Sequence, residues 1–369
     1  MPLQFAKDCD TVKKLSAAAL DTYIESNGIF PDERFWTMRE YTVAILGATG
    51  AVGREMMSIL EEYGFPVKEL VPLASARSAG KTLKFKGEDV VIREAAPSAF
   101  AGADIVLGAA SNAVAKEMAP FIVDAGAVFV DNSSAFRLYD DVPLIVPEIN
   151  GEDAKKHKGI IANPNCSTII TLMAVAPIAR ISPIEKMVAS TYQAVSGAGI
   201  EGLRELEGQV DAYAKGEQLQ VNTFAHQIAF NLIPAIGSDS GNGYTSEEMK
   251  LQNEGRKILH LPEMQVSCTC VRVPVMRSHS ISATVVTKEK VSVEAAKAAI
   301  SAAKGVKLVD DLSAACYPMP LDTSGQDTVF VGRIREDLTS DRGLNIFCCG
   351  DQVRKGAAAN AVQIAQLLI

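Results

Sequence analysis

The sequence predicts an α/β protein with two regions: a parallel sheet with helices on both faces, then a mixed sheet with helices mainly on one side. Three observations support this. The chain has 369 residues, too many for one ordinary core. From Tyr41 onward, short apolar runs alternate with longer amphipathic ones, which is typical of a parallel sheet. After Cys166 the pattern changes to longer strands and an irregular stretch.

In the first region, each predicted strand is followed by polar or glycine-rich residues. A strand, a glycine turn and a helix are predicted in YTVAILGATGAVGREMMSILEEYG (41–64). Further strands are predicted in VKELVPLAS (67–75), ADIVLGAAS (103–111) and AVFVDNSS (127–134), with a helix in AVAKEMAPFIVDAG (113–126). Right-handed crossovers would bring the strand ends at Gly47, Ser75, Ala110 and Asn132 to one edge of the sheet.

The second region mixes strands and helices in a different order. Helices are predicted from Ser167 to about Ala179, in GIEGLRELEGQVDAYAKG (199–216), from about Ser246, and from Val293 to Ala303; strands are predicted in KMVASTYQAVSGAG (186–199), QVSCTCVRVPV (265–275) and ISATVVT (281–287). This order indicates a mixed sheet whose exposed face is a candidate surface for a second copy of the chain.

The predicted domains are an N-terminal extension (1–37), a first domain (38–165 and 350–369) and a second domain (166–349). The last segment, GDQVRKGAAANAVQIAQLLI, has alanines and apolar residues at helical spacing, and we expect this helix to return to the first domain. In the extension, CDTVKKLSAAALDTYIES has the pattern of an amphipathic helix outside the main fold.

The composition excludes several classes of protein. A net charge of −8 argues against binding to nucleic acid or to an anionic membrane. No apolar run approaches the roughly 18 residues that cross a bilayer, and the N-terminus has no signal or transit pattern. A cytoplasmic location is the simplest interpretation. Seven cysteines and four histidines show no metal-ligand spacing, so we expect no metal.

The turn GATGAVG between the first strand and helix predicts a dinucleotide site in a Rossmann-type domain. Gly47, Gly50 and Gly53 permit a tight turn, a close approach to a pyrophosphate and close helix packing, although Thr49 replaces the middle glycine of the usual pattern. The alternative is a turn that needs glycine for its geometry alone.

The end of the second strand indicates which dinucleotide binds. A site for NAD usually has an acidic residue there for the ribose 2′-hydroxyl, whereas this chain has PLASARSAGK. Ser75, Arg77 and Ser78 suit a 2′-phosphate instead, so NADP is favoured. The alternative is that Arg77 is a solvated loop residue.

Cys166, in IIANPNCSTII, stands where a helix begins. The unpaired N–H groups and the dipole of a helix start favour a thiolate, which makes Cys166 a candidate nucleophile. The alternative is a small buried apolar residue. A thiolate beside a nicotinamide indicates oxidation and reduction at the acyl level. Among the histidines, His279 in VRVPVMRSHS is the best candidate base, although a structural role is the alternative.

A set of motifs gives a specific resemblance. LGATGAVG, SARSAGK, DNSSAFR, VPEIN, NPNCST, YQAVSGAG, EEMK, RVPVMRSHS and GDQVRKGAAANA follow one another as in the aspartate-semialdehyde dehydrogenases of the bacterial type, from Met38 to Ile369. The resemblance implies an NADPH-dependent reductive dephosphorylation of L-aspartyl 4-phosphate through a cysteine thioester, in lysine, threonine and methionine biosynthesis. It also implies a homodimer.

The resemblance also implies roles for individual residues. Cys166 matches the nucleophile, His279 the acid/base and Gln193 the amide that orients the intermediate. The substrate-binding residues that it implies are Arg137, Asn165 and Lys250 for phosphate, Arg272 for the α-carboxylate and Glu247 for the amine. The implied NADP contacts are Gly47, Thr49, Gly50, Ala51, Val52, Gly53, Ser75, Arg77, Ser78, Ala110, Ser111, Ser196, Gly197 and Gln352.

Several alternatives stay open at this point. Glu248 adjoins Glu247 and competes for the substrate amine, and the charged residues have structural roles as rival interpretations. An N-acetyl-glutamyl-phosphate reductase would use the same chemistry on an acylated substrate, but it would not need the acidic residues of EEMK. A non-catalytic dinucleotide-binding regulator is the second alternative, and the intact set of Cys166, Gln193, Arg272 and His279 argues against it.

Overall fold

Two six-stranded sheets organise the residues described by the computed structural model, 39–369. The predicted N-terminal extension and its amphipathic helix lie outside the described residues. The helices are α1 Ala51–Glu62, α2 Asn112–Asp124, α3 Cys166–Ala179, α4 Gly199–Lys215, α5 Ser246–Leu259, α6 Val293–Ala302 and α7 Ala359–Gln366. Shorter helical turns span Ala76–Ser78, Pro97–Phe100, Pro147–Asn150, Gly151–Lys156, Val195–Ala198 and Pro320–Thr323, and a π-helical turn spans Arg354–Ala358.

The first sheet is entirely parallel, as predicted. The strands of this part of the chain are β1 Tyr41–Leu46, β2 Val67–Ala74, β3 Thr82–Phe85, β4 Glu88–Val91, β5 Arg93–Glu94, β6 Ile105–Gly108, β7 Val128–Asp131 and β8 Ile160–Ala162. The sheet order is β5-β2-β1-β6-β7-β8, and β3 and β4 form a separate antiparallel hairpin. The parallel pairing of β2, β1, β6 and β7 brings their carboxyl ends to one edge, which confirms the predicted meeting of the loops that follow them.

Alternating side chains of β1 enter different apolar cores. Val43 and Ile45 pack with residues of α1 and α7, whereas Ala44 and Leu46 share a core with α2. The sheet therefore carries helices on both faces, and the final helix returns to it as predicted. The boundaries of the predicted domains stay a prediction.

The second sheet is mixed. Its strands are β9 Ile184–Gln193, β10 Gln265–Arg272, β11 His279–Thr287, β12 Val306–Leu308, β13 Val329–Glu336 and β14 Gly343–Gly350, in the order β10-β9-β11-β14-β13-β12. The pairs β9/β10 and β12/β13 are parallel, and the other neighbours are antiparallel. On β9, Val188 and Tyr192 are exposed, so one face of this sheet presents apolar side chains to solvent.

Helix α3 packs on the mixed sheet, against β9, β11, β13 and β14, and is flanked by α5 and α6. Every residue from Ser167 to Ile178 is buried, which is typical of a helix that is apolar all round. The helix begins at Cys166, one residue earlier than predicted, because the side chain of Asn165 caps it: Oδ1 accepts from the N–H groups of Ser167 (3.1 Å) and Thr168 (3.2 Å).

Candidate active site

Cys166 lies at the edge of the parallel sheet where the loops after β1, β2, β6 and β7 meet. The short strand β8 pairs with β7, and its carboxyl end leads directly through Asn163, Pro164 and Asn165 into α3. The sequence did not predict β8, which has only three residues. This strand carries the nucleophile candidate to the same edge as the glycine turn.

Asn165 connects the cysteine to the next group of polar side chains. Its Nδ2 lies 3.9 Å from Sγ of Cys166 and donates to Oε1 of Glu247 at 2.9 Å. The same carboxylate accepts from Nε2 of Gln193 at 3.3 Å and from Nζ of Lys250 at 2.7 Å. Four predicted site residues therefore meet at one carboxylate.

The contacts of Glu247 fix its charge. Burial raises the pKa of this carboxyl, but Lys250, Asn165 and Gln193 outweigh burial, so the pKa lies below its usual value. Glu247 is therefore an anion that faces the site. Glu248 points elsewhere: its carboxylate accepts from the N–H groups of Thr245 (2.7 Å) and Cys270 (3.0 Å), so it caps α5 and joins that helix to β10.

Cys166 is a thiol in this arrangement, contrary to the expectation from its position at a helix start. Burial, and then the negative charge of Glu247, raise the pKa of the thiol to about 11. The positive charges of Lys250, Arg137 and Arg272 lower it by less. Loss of solvent and a nearby anion thus outweigh the helix start in the ligand-free protein.

His279 is the first residue of β11 and is fully buried. Its Nδ1 accepts from the N–H of Ala194 at 3.0 Å, and its Nε2 lies 3.4 Å from Nε2 of Gln193. Burial, and then the charge of Arg272, lower the pKa of the imidazole to about 3, so the ring is neutral. A neutral ring whose Nδ1 accepts a hydrogen bond carries its proton on Nε2.

The imidazole and the thiol are neighbours in one cluster rather than partners. Within residues 39–369, no hydrogen bond joins His279 to Sγ of Cys166. Gln193 lies beside the imidazole and donates to Glu247, which also accepts from Asn165, the neighbour of Cys166. Both groups are neutral, so the cluster rests as a thiol and an imidazole, not as an ion pair.

Arg272 ends β10 beside this cluster. The side chain is buried, Nη1 donates to the carbonyl of Ala194 at 2.6 Å, and the guanidinium lies over the ring of Phe224. A Cβ added to Gly197 would lie 2.7 Å from Nη1 of Arg272 and 3.3 Å from Cε1 of His279. Gly197 thus leaves the space that both side chains occupy.

Arg137 is buried, and its guanidinium group contacts several protein groups. Nε donates to the carbonyl of Asn163 and Nη2 to the carbonyl of Asn132, both at 2.9 Å, while Nη1 pairs with Glu254 at 3.0 Å. The other carboxylate oxygen of Glu254 accepts from the N–H of Asn165 at 2.7 Å. Arg137 therefore lies close to the cysteine, with part of its guanidinium already in use.

The glycine turn fits a dinucleotide. Gly47 has φ 94°, and an added Cβ would lie 2.6 Å from the carbonyl oxygen of Ala109. A Cβ on Gly53 would lie 2.4 Å from the carbonyl oxygen of Gly47, so α1 packs against the turn only with glycine there. A Cβ on Gly50 would make only an ordinary contact, 3.5 Å from the carbonyl oxygen of Gly47. No side chain caps α1, so the first N–H groups of this helix are available to a phosphate.

The other predicted cofactor residues fall into two groups. Around the carboxyl edge of the sheet lie Thr49, Ala51, Val52, Ser75, Arg77, Ser78, Ala110 and Ser111, all wholly or partly exposed. Ser196 and Gln352 lie instead beside His279: Nε2 of Gln352 donates to Oγ of Ser196, and Oε1 accepts from the N–H of Ser278 at 2.8 Å. Ser278 has φ 72°, so Gln352 holds the turn immediately before His279.

Some residues of the site were not found from the sequence. Glu254 is a buried acid whose partners are distant in sequence, and Ala194 acts through its backbone alone. Gly356 packs on the nucleophile, since an added Cβ would lie 2.9 Å from Cβ of Cys166. Gly356 belongs to the π-helical turn, where the sequence predicted regular helix. For Glu254 a signal was present in the sequence: it lies four residues after Lys250, a predicted site residue, and therefore on the same face of the helix.

Among the described side chains, no group of three or more His, Cys, Asp or Glu residues could hold a metal ion. A search of residues 39–369 for a helix long and apolar enough to span a bilayer finds none. Cys268 and Cys270 share one face of β10, with their sulfur atoms 3.8 Å apart.

Two family models match most of the chain. The semialdehyde dehydrogenase NAD binding domain matches residues 42–157. The semialdehyde dehydrogenase dimerisation domain matches residues 175–355. The first match covers the glycine turn and the parallel sheet except for β8, and the second covers the whole mixed sheet.

Individual proteins give the same result. The chain is 50% identical to the aspartate-semialdehyde dehydrogenase of Synechocystis sp. over 89% of its own length and 97% of that protein. The crystal structure of aspartate semialdehyde dehydrogenase II from Vibrio cholerae complexed with ASA is 43% identical, with a TM-score of 0.87 over 89% of this chain and 98% of that one. The aspartate semialdehyde dehydrogenase of Candida albicans with NADP is 27% identical, with a TM-score of 0.69 over 89% of this chain and 98% of that one.

Proposed function

Since the chain belongs to the aspartate-semialdehyde dehydrogenase family, we propose that it reduces L-aspartyl 4-phosphate to L-aspartate 4-semialdehyde with NADPH and releases phosphate. The observation that carries this proposal is the cluster around one carboxylate, in which Glu247 joins Asn165, Gln193 and Lys250 beside Cys166. An anionic carboxylate suits the free ammonium group of an aspartyl substrate. An acetylated amine carries no charge and could not take the place of Lys250 on this carboxylate.

The substrate must displace contacts that the protein now makes with itself. The ammonium group takes the place of Lys250 on Glu247, and Lys250 then becomes free for the phosphate. Arg272, whose Nη1 contacts a carbonyl, offers its remaining N–H groups to the α-carboxylate. Substrate binding thus separates charges that pair with each other in the ligand-free site.

Cys166 is the proposed nucleophile. Its sulfur attacks the acyl carbon, the carbon–oxygen bond to phosphate breaks, and a thioester remains on the enzyme while phosphate departs with the electron pair of that bond. NADPH, when bound at this edge of the sheet, would supply the hydride for reduction of the thioester to a thiohemiacetal. The resulting thiohemiacetal collapses to the aldehyde and returns the electron pair to sulfur. Asn165 Nδ2 and the N–H of Cys166 are candidates to stabilise the oxyanion.

The approach of substrate also changes the ionisation of the thiol. Once the ammonium group neutralises Glu247, the anion that raises the pKa of Cys166 is compensated, while Lys250 and Arg137 remain nearby. The thiol proton therefore becomes easier to remove when the acyl phosphate is in place.

His279 is the proposed acid/base. In the ligand-free arrangement its Nε2 carries the proton, so the ring donates to the substrate or to sulfur. To accept the thiol proton at Nε2, the ring must leave the N–H of Ala194 and change tautomer. The imidazolium formed in this way returns its proton to sulfur when the thiohemiacetal collapses, and the proton that the overall reaction consumes is taken up by the released phosphate.

The cofactor is proposed to be NADP because the end of β2 offers Arg77 with Ser75 and Ser78, and no acidic side chain, to the ribose. The relative from Candida albicans with NADP supports the same choice. A homodimer is proposed through the exposed face of the mixed sheet that includes Val188 and Tyr192, within the region matched by the dimerisation-domain model. A role in lysine, threonine and methionine biosynthesis is proposed from the resemblance, and a cytoplasmic location stays a prediction.

The deciding experiment is an assay of NADP reduction with aspartate semialdehyde, with and without phosphate, on the purified chain and on Cys166→Ser. We expect phosphate-dependent activity in the wild type and a loss of at least about a thousandfold in the variant. Full activity of Cys166→Ser would disprove the thioester route. Turnover of N-acetyl-glutamate semialdehyde alone would reassign the substrate.

A further inference from the structure

We propose that Glu254 is a positioning residue that sets the nucleophile and the phosphate-binding arginine relative to each other; this inference rests on the proposed function. One carboxylate oxygen pairs with Nη1 of Arg137 at 3.0 Å, and the other accepts from the N–H of Asn165 at 2.7 Å. Arg137 and Asn165 lie on different loops, and Asn165 immediately precedes Cys166. A single rigid group thus connects the loop after β7 to the start of α3.

Glu254 belongs to a row of charged residues along α5. Glu247, Lys250, Glu254 and Lys257 are separated by three or four positions, so they lie on one face of the helix. Glu247 and Lys250 contact each other at the cluster around Cys166, while Lys257 Nζ donates to the carbonyls of Arg137 (3.0 Å), Tyr139 (2.7 Å) and Val142 (2.8 Å). The helix face that carries the proposed ligands of the amine and the phosphate therefore also contacts Arg137, at its side chain through Glu254 and at its carbonyl through Lys257.

The burial of the pair makes the contact a rigid one. The side chains of Arg137 and Glu254 are 8% and 2% exposed. Separating such a pair would leave each charge buried without a partner or solvent. Because this costs free energy, both side chains stay in place. An exposed ion pair would allow either residue to move at little cost.

The geometry of Asn165 explains why this position matters for the sulfur. Asn165 has three contacts with separate partners: its N–H with Glu254, its Oδ1 with the first turn of α3, and its Nδ2 with Glu247 and Sγ of Cys166. If the Glu254 contact is lost, Asn165 is held by its side chain alone. The orientation of the cap, and with it Cys166, then becomes variable. Displacement of a reacting group by about 1 Å can lower a rate by about a hundredfold.

The test compares Glu254→Gln with Glu248→Gln in the phosphate-dependent assay with aspartate semialdehyde. Glutamine keeps the length of Glu254 but has one accepting oxygen, so it cannot serve both Arg137 and Asn165. Glu248 is the matched control because it is also buried on α5 and also accepts hydrogen bonds from backbone N–H groups. Its partners are Thr245 and Cys270, and it does not contact Asn165 or Arg137.

We expect Glu254→Gln to raise the KM for phosphate and lower kcat, with kcat/KM for phosphate reduced by at least about tenfold. The KM for NADP should stay within about twofold, and Glu248→Gln should change neither KM by more than that. If Glu254 acted only in stability, as Glu248 is expected to do, both variants would have a lower Tm and the wild-type KM for phosphate. Wild-type values of kcat and KM for phosphate in Glu254→Gln would overturn the proposal.

Glu254→Asp keeps the test decisive if the glutamine variant does not fold. Aspartate retains the charge that Arg137 needs but is shorter by one methylene group, so it cannot span both partners. We expect the KM for phosphate to rise, but by less than in Glu254→Gln. Unchanged kinetics in a folded Glu254→Asp would also exclude the proposal. If the wild type has no phosphate-dependent activity, the proposed function fails instead, which distinguishes the two failures.

Discussion

The N–H of Ala194 donates to Nδ1 of His279 over 3.0 Å, and this contact fixes the proton of the neutral imidazole on Nε2. Ala194 follows the last residue of β9, and His279 is the first residue of β11, so the contact spans two neighbouring strands. The carbonyl of the same alanine holds Arg272. One peptide segment thus orients both the candidate acid/base and the candidate carboxylate ligand.

The tautomer of His279 can be observed directly. We expect nitrogen-15 NMR of the histidine-labelled protein without ligand to show a neutral His279 protonated at Nε2 throughout pH 5 to 8, because its pKa is lowered to about 3. His279→Asn assigns the signals by removing them. A titration of His279 within this range, or a ring protonated at Nδ1, would contradict the hydrogen bond from Ala194.

The same group makes stability depend on pH. The pKa of His279 is about 3 in the folded protein against its ordinary value of 6.5. Its neutral form therefore contributes stability that is complete above about pH 6.5 and decreases as the pH falls toward about 3. Between pH 8 and pH 5, urea unfolding of the wild type should show a larger loss of stability than that of His279→Asn. Equal losses would show that the imidazole titrates normally.

The reactivity of Cys166 should report the raised pKa of its thiol. With a pKa of about 11, the thiol fraction ionised in the ligand-free protein keeps increasing up to that pH. The rate of alkylation of the Cys166 peptide by iodoacetamide, followed by mass spectrometry, should therefore rise steadily from pH 7 to 10. A plateau near pH 7 would indicate a preformed ion pair with His279.

Glu247→Gln tests the cause of that shift. Removal of the anion that raises the pKa of Cys166 should accelerate alkylation at pH 8, while turnover decreases because the substrate amine loses its partner. Glu248→Gln is the matched control, since that carboxylate caps α5 and contacts the N–H of Cys270. Equal alkylation rates in the two variants would remove Glu247 from this role.

The fold was predictable where the local pattern was strong. Strands β1, β2, β6 and β7 are apolar runs followed by turn residues, and the family resemblance inferred from the motifs is confirmed by the matching family models. The hairpin of β3 and β4 was missed because its turn is Lys86–Gly87, with φ of 48° and 83°, instead of the Asn-Gly or Asp-Gly that usually signals such a turn. Strands β8 and β12 have three residues each, too few for a recognisable period.

The candidate site was predictable in residue type but not in charge state. The sequence places Cys166 at a helix start, and from that alone a thiolate is expected. The opposite direction of its pKa depends on Glu247, eighty-one positions away, and on burial, neither of which a local pattern contains. For Glu254 the spacing from Lys250 indicates only a shared helix face; its burial and its pairing with the distant Arg137 are not contained in that spacing.

Arg77 should determine the preference for NADP. Its exposed guanidinium, at the end of β2, is placed to meet a 2′-phosphate that NAD does not have. We expect Arg77→Ala to raise the KM for NADP by about tenfold or more and to leave the KM for NAD nearly unchanged, since only the first cofactor loses a charge-assisted hydrogen bond. Arg342→Ala, which removes an exposed arginine paired with Glu185, is the control. Equal effects on both cofactors would show that Arg77 is a solvated loop residue.

The glycine turn must allow close packing of α1 and must leave space for the cofactor. Substitutions at Gly53 and Gly50 test these two requirements separately. A Cβ on Gly53 would lie 2.4 Å from the carbonyl oxygen of Gly47, whereas the nearest atom to a Cβ on Gly50 is that oxygen at 3.5 Å. Gly53→Ala should therefore lower the Tm and weaken NADPH binding together, because α1 cannot approach the turn. Gly50→Ala should leave the Tm nearly unchanged and weaken NADPH binding alone, by fluorescence titration, since its methyl group occupies space open to the pyrophosphate. Unchanged affinity in Gly50→Ala would place the phosphates elsewhere, while leaving the packing role of Gly53 intact.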